Sequence, residues 1–172
     1  MVIARADQRP LIEGLLRFYL YDFSEMEPVG SDDLELDESG GFGPYPDLGE
    51  YWSGPDRVPL LIRVANHPAG FALLNTLSHR GGRVERNMAE FFIGRKHRQQ
   101  GVAREAVRQI LSLYPGRWEV AVVARNAAAQ AFWPRAIGAA PNVTGLLRVE
   151  GDGARWRGPI WTFLASPTTS GG

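Results

Sequence analysis

The sequence contains no cysteine, which excludes a disulfide framework, a thiolate metal site and a cysteine nucleophile. Histidine is scarce. His67, His79 and His97 lie apart along the chain, and nothing in their spacing supports a metal site. Lysine is nearly absent: Lys96 stands alone against eighteen arginines. Any anion bound here would therefore meet mostly forked guanidinium groups. No apolar run approaches the roughly 20 residues that span a bilayer. No basic segment followed by an apolar run opens the chain. A soluble cytoplasmic protein with no signal peptide and no membrane partner is therefore expected. Net charge is zero, so the basic excess of a dedicated nucleic-acid binder is missing too.

What is present is enough for one packed domain: 172 residues, 44% of them hydrophobic, long enough to bury a core and too apolar for general disorder. The neutral total hides an asymmetry. From Asp22 to Glu50 there are ten acidic residues and no Lys or Arg, whereas from Glu85 to Asp152 the balance reverses.

Periodicity and punctuation divide the chain. Val2 to Arg5 reads as a short strand. Asp7 is a plausible N-cap, with Pro10 in the first turn of a helix that carries Leu11, Leu15, Phe18 and Tyr19 to about Tyr21. Ser24 to Pro59 is a long Gly-, Pro- and acid-rich loop, of the kind that carries function or moves. Val58 to Val64 and Ala69 to Leu77 form a hairpin across Asn66-His67-Pro68. Arg83 to Gly94 is a third strand, and its end, Phe91-Phe92-Ile93, suits burial on both faces. Gly101 to Tyr114 is the clearest helix, with Val102, Ala103, Ala106, Val107, Ile110, Leu113 and Tyr114 on one side. Trp118 to Ala124 is a strand, and Asn126 to Trp133 a short helix ended by Pro134, with Gly138 as terminator. Gly145 to Glu150 and Trp156 to Ala165 are two more strands. The reading is a single mixed α/β domain over residues 1–166, with a flexible C-terminal tail over 167–172.

The unit that carries chemistry is the strand to Gly94, the turn Arg95 to Gln100 and the helix from Gly101. A helix N-terminus leaves N–H groups unpaired at the positive end of the peptide dipoles, so a phosphate fits there. Gly101 lets an anion approach the backbone, and Arg95, Lys96, Arg98 and Arg104 add positive charge. By spacing alone, an ordinary strand-to-helix turn with solvated arginines is an equal reading.

The run from Glu90 to Ala103, with Arg98-Gln99-Gln100-Gly101-Val102-Ala103 at its centre, resembles the central motif of the GCN5-related N-acetyltransferases. That signature is Arg/Gln-x-x-Gly-x-Gly/Ala after a buried strand. Downstream, Asn126, Ala129, Phe132-Trp133 and Ile137-Gly138 are similar to the family's second motif. The likeness spans roughly Val58 to Gly138. It implies an acyl-CoA N-acyltransferase-like fold, a central twisted mixed sheet of six or seven strands flanked by helices. It also implies an acetyl-CoA-dependent N-acetyltransferase acting on an unidentified amine, of small-molecule or protein origin. Phe91, Phe92 and Ile93 would meet the pantetheine arm through main-chain groups. The amides from Gln99 through Gln100, Gly101, Val102 and Ala103 to Arg104, beside Arg98, would hold the pyrophosphate. Asn126 would touch the cofactor or order its helix. Members often pair through C-terminal strands, so a homodimer and a monomer both stay open.

Acetyl transfer needs a neutral amine, a donor to the developing oxyanion and a route for protonating the thiolate. Glu90 is the candidate base, directly or through water. Several members carry this glutamate one position earlier, where this chain has Ala89, and one residue of offset flips a strand side chain unless a bulge intervenes. An ion pair of Glu90 with Arg86 or Arg63 is the competing reading. Members often have Tyr where this chain has Trp133, and an indole is no acid here. Tyr45, Tyr51 or Tyr114 would then serve, or the thiolate would leave unaided. Tyr19, Asp22, Glu25, Glu27 and the run Asp32 to Glu38 would draw a cationic acceptor, or simply solvate the loop. A non-catalytic acyl-CoA-binding or regulatory module, and more remotely an unrelated nucleotide-binding domain, are the rival readings.

Overall fold

The computed structural model describes residues 2–3, 5–43, 45 and 48–168. The tail expected over 167–172 lies outside the described residues from Thr169 onward. Seven strands form one sheet: β1 Val2–Ile3, β2 Val58–Val64, β3 His67–Leu77, β4 Arg83–Ile93, β5 Gly116–Ala121, β6 Val143–Glu150 and β7 Pro159–Ala165, in the order β1-β2-β3-β4-β5-β7-β6. All neighbours are antiparallel except β4 and β5, which run parallel. Such a pair needs a crossover, supplied by helix α2, Val102–Leu113. Helices α1, Arg9–Ser24, and α3, Ala127–Gly138, complete the frame.

Period-two alternation in β2 and β3 builds two cores. Leu61, Phe71 and Leu73 face Ile12 and Leu16 of α1, while Leu60, Ala72 and Leu74 face Val107, Ile110 and Leu111 of α2 and Ile137 of α3. α1 therefore covers one face of the sheet, and α2 and α3 cover the other. No helix among the described residues is long and apolar enough to cross a membrane.

Several local expectations are corrected. The hairpin turns at Ala65 and Asn66, both left-handed, so that His67 and Pro68 already belong to β3. Gln8, not Asp7, precedes α1, and Asp7 instead pairs with Arg5. Leu111 is buried on α2 whereas Leu113 is exposed, because the buried stripe runs through Val107, Ile110 and Leu111 with Tyr114 packed against it, and Leu113 falls beside that stripe. Pro134 does not end α3 but lies inside it. β5 stops at Ala121, earlier than expected, and β7 starts only at Pro159.

Candidate active site

The parallel pair of β4 and β5 is short. Its ladder holds only Arg86 against Trp118 and Asn87 against Glu119. Beyond that point the strands part, and Met88 to Ile93 pair with β3 alone. Where they part, β4 also bulges: Leu73 faces Glu90 but Leu74 faces Met88, so Ala89 is the extra residue. The bulge has a consequence for side chains. Met88 and Phe92, four residues apart, would share a face in a regular strand, yet Met88 packs in the α2–α3 core and Phe92 in the α1 core. Glu90 is thereby turned toward α1.

There it accepts hydrogen bonds from the hydroxyls of Tyr19 on α1 and Tyr45 in the long loop. The expected ion pairs with Arg86 or Arg63 are absent: Arg86 donates to the Glu85 carbonyl and Arg63 to that of Asn66. Burial pushes the Glu90 carboxyl above its ordinary value of 4.5, and the two hydroxyls and His79 only partly offset this. Burial and the charge of Glu90 likewise push both tyrosine hydroxyls up, so both remain protonated donors. A carboxyl with a raised folded-state value stabilises the fold fully below its unfolded value. That contribution is lost as pH rises through the folded value. Glu90→Gln removes the titration. Its stability deficit relative to the wild type should therefore shrink as pH rises from 4.5 upward. Urea midpoints of both proteins at pH 5 and pH 8 measure this, and a deficit independent of pH would contradict it.

Two cavities meet at this point. One, of about 310 Å³, occupies the parting of the strands between Met88–Phe91 and Val120–Val123. The other, of about 400 Å³, lies beside it under Tyr51, Arg57, Asn75 and Asn87. Tyr45, His79, Ala89 and Glu90 line both. In the second cavity Asn75 Oδ1 accepts from the Leu77 N–H and from Asn87 Nδ2. These bonds fix both amide orientations, and the buried Asn87 Oδ1 is left without a partner among the described residues. Glu119 was not singled out from sequence. It is buried on β5, where it accepts from Ser78 Oγ (2.7 Å) and the His79 N–H (2.6 Å) and lies 3.3 Å from His79 Nδ1. Burial would push its carboxyl up, but these bonds hold it below the usual value. The available signal was a lone charge inside the apolar run Trp118 to Ala124.

A groove of about 650 Å³ opens from the parting strands toward the N-terminus of α2. Among the predicted cofactor residues, Phe91, Phe92, Ile93, Arg98, Gln99, Ala103 and Asn126 line it. Gln100, Gly101, Val102 and Arg104 belong to the turn and first helical turn alongside. Gly101 precedes α2 with φ +78° and no side-chain cap, and Gln99 is left-handed as well. With no side-chain cap, the first amides of α2 have no partner among the described residues, as an anion site requires. Arg98 is engaged: its Nε donates to the Ile93 carbonyl at 2.7 Å, and its guanidinium pairs with Asp22 and lies over the Phe92 ring. It ties the turn to the strand end. Asn126 caps α3 by accepting from the Ala129 N–H at 2.9 Å.

The acidic residues nearest the site are spent on arginines. Asp22 pairs with Arg95 and Arg98, Glu25 reaches Arg95, and Glu27 pairs with Arg125. They balance the basic rim of the groove, which leaves Glu90 as the carboxylate on the walls of the two cavities among the described residues. Tyr114 lines neither cavity; Tyr51 lines one and packs in the α1 core. Trp52 donates to the Arg5 carbonyl and anchors the loop. Trp133 forms a wall shared by the first cavity and the groove.

A model of the Acetyltransferase (GNAT) family matches residues 18–139. No curated protein matches at a significant level. Among solved structures, the chain is similar to an acetyltransferase from Thermus thermophilus, at 18% identity over 94% of this chain and 93% of that one, with TM-score 0.63. It is also similar to the PaiA N-acetyltransferase from Thermoplasma acidophilum in complex with coenzyme A, at 9% identity over 96% and 97%, TM-score 0.60. A third is a spermidine N-acetyltransferase SpeG chimera from Vibrio cholerae and hSSAT, at 15% identity over 95% and 92%, TM-score 0.53. At these identities the likeness is one of fold.

Proposed function

The chain belongs to the GNAT family of acetyltransferases, and from that premise we propose that it moves the acetyl group of acetyl-CoA onto an amine that docks against Glu90. The observation that carries this reading is the parting of β4 from β5. It leaves the main-chain groups of Met88 to Ile93 on one side without a strand partner, and an extended pantetheine arm can take that place as an added strand. The free amides at the start of α2 suit the pyrophosphate, with Gly101 admitting it to the backbone. Coenzyme A bound to the Thermoplasma acidophilum protein of the same fold supports this assignment.

The acceptor side is read from its walls. Glu90 supplies negative charge on the walls of both cavities. That favours an occupant that brings N–H groups, an ammonium first among them. The β4 N–H groups freed by the bulge and the parting are the donors available to the oxyanion. Trp133 offers no proton, so the thiolate leaves without an acid at that position.

Isothermal titration tests the cofactor half, with binding expected well below millimolar; silence at millimolar acetyl-CoA would sink it. A Cβ at position 101 meets nothing within 4 Å, but φ +78° costs a β-branched residue about 1–2 kcal/mol of strain. Gly101→Val should therefore weaken acetyl-CoA binding about 10-fold or more by displacing the turn. Release of free CoA with spermidine, lysinamide, phenethylamine and an alanyl peptide tests the transfer half.

A further inference from the structure

The turn between β3 and β4 brings a histidine onto the wall shared by both cavities. His79 stands beside Ala89 and Glu90 there. Its Nδ1 faces the buried carboxylate of Glu119 at 3.3 Å, its own backbone N–H donates to the same oxygen at 2.6 Å, and Ser78 Oγ holds the other oxygen at 2.7 Å. The edge of Trp156 packs against the ring with centroids 4.4 Å apart. Neighbours on three elements thus fix the imidazole: β5, the turn itself and the segment before β7. Among the described residues Nε2 has no hydrogen-bond partner. A carboxylate that receives Nδ1–H selects the tautomer whose Nε2 carries the free lone pair.

Resting on the acetyl-transfer reading above, we propose that His79 is the catalytic residue that takes the proton from the acceptor's ammonium, and that Glu119 is its positioning residue. Glu90 is the other basic group at the site, but each of its oxygens already accepts a tyrosine hydroxyl, so it serves as the counter-charge that seats the ammonium. The step balances without a further reagent. R–NH3⁺ gives one proton to Nε2, leaving R–NH2 and an imidazolium. The amine lone pair attacks the thioester carbonyl, the C–N bond forms, and the C–S bond breaks with its electron pair going to sulfur. The second nitrogen proton passes to the thiolate. The products are R–NH–COCH3 and CoA–SH, and the imidazolium returns its proton to water. Among the described residues, the titratable and charged groups around His79 are Glu119 from β5, Glu90 from β4, Tyr19 from α1, Tyr45, Tyr51 and Arg57 from the long loop and its end, Arg80 next to it in the turn, and Arg155 from the segment before β7, which lies against Gly81. Glu119 alone bonds it.

The test is the pH profile of kcat/KM between pH 5 and 9 for wild type, His79→Gln, Glu119→Gln and Glu90→Gln, with acetyl-CoA and each of the four probe amines named above. The wild type should bend downward on the acid side. His79→Gln should lose about 100-fold and the bend with it, while its acetyl-CoA affinity stays within about 3-fold of wild type. Glu119→Gln should lose about 10-fold in kcat with the bend moved to lower pH, because removing the negative charge disfavours the imidazolium. Glu90→Gln should raise KM for the amine and keep the bend. His79→Ala leaves space for free imidazole, which should restore about 10-fold of the lost rate even if Glu119→Gln does not fold. Retention of the bend in His79→Gln, or its loss only in Glu90→Gln, would overturn the proposal while leaving acetyl transfer intact. A wild type that acetylates none of the four amines would overturn the transfer reading, and this proposal with it.

Discussion

Alanine at position 133 should cost about 3–5 kcal/mol of stability, the range for deleting a large aromatic from a packed core. Trp133 is only 6% exposed. Its ring meets Phe91 edge-on at 5.3 Å and Phe132 at the same separation. Phe91 stands at the parting of the strands, so the loss reaches the site. Removing the indole opens the first cavity into the groove, whose shared wall it forms. Urea unfolding should show a large drop in midpoint at unchanged slope, and acetyl-CoA titration should show weaker binding under conditions where the variant is still folded. Trp133→Tyr divides the packing role from the chemical one. It keeps most of the ring and adds an acid. If the thiolate departs without help, kcat should not rise; a rise of 10-fold or more would mean that the protonation route is limiting.

Gly70→Ala should do comparable damage with a single methyl group. Gly70 lies on β3 opposite Ile93. A Cβ there would overlap the Phe92 carbonyl oxygen and stand 3.0 Å from its carbonyl carbon and 3.1 Å from the Ile93 Cα. All three are backbone atoms, which cannot rotate away. The strands must separate, at a cost of about 3 kcal/mol, the upper part of the usual overpacking range. They would separate where β4 borders the groove, so acetyl-CoA binding should fall along with the unfolding midpoint. A stable variant with normal binding would show that the strand end yields more easily than its packing suggests.

The parts of this molecule that depend on neighbours in sequence were legible beforehand. The β2–β3 hairpin follows from two apolar runs and a turn signal, and α2 from its apolar stripe and the Pro115-Gly116 stop. The turn from β4 into α2, with Gly101 just before the helix, follows from the same punctuation. What depends on distant partners was not. The Ala89 bulge is a mismatch between two strands and leaves no mark on either. Glu90 meets Tyr19 and Tyr45 across 71 and 45 residues, separations that no local pattern reports. The acids of the first third looked like bait for a cation, yet Asp22 and Glu27 meet arginines from the other half of the chain. Pro134 looked like a stop because its local effect is disruptive, but packing of Trp133, Ala136 and Ile137 carries α3 past it.

An open edge in a sheet normally invites another chain to add on and aggregate. Here the open edge is in the middle of the sheet, with β5 and α3 standing guard a short distance away. On the acetyl-transfer reading, the amide-bearing arm of the cofactor would continue the ladder that β5 leaves after two residue pairs, so the gap that exposes polar backbone would be closed by the guest itself.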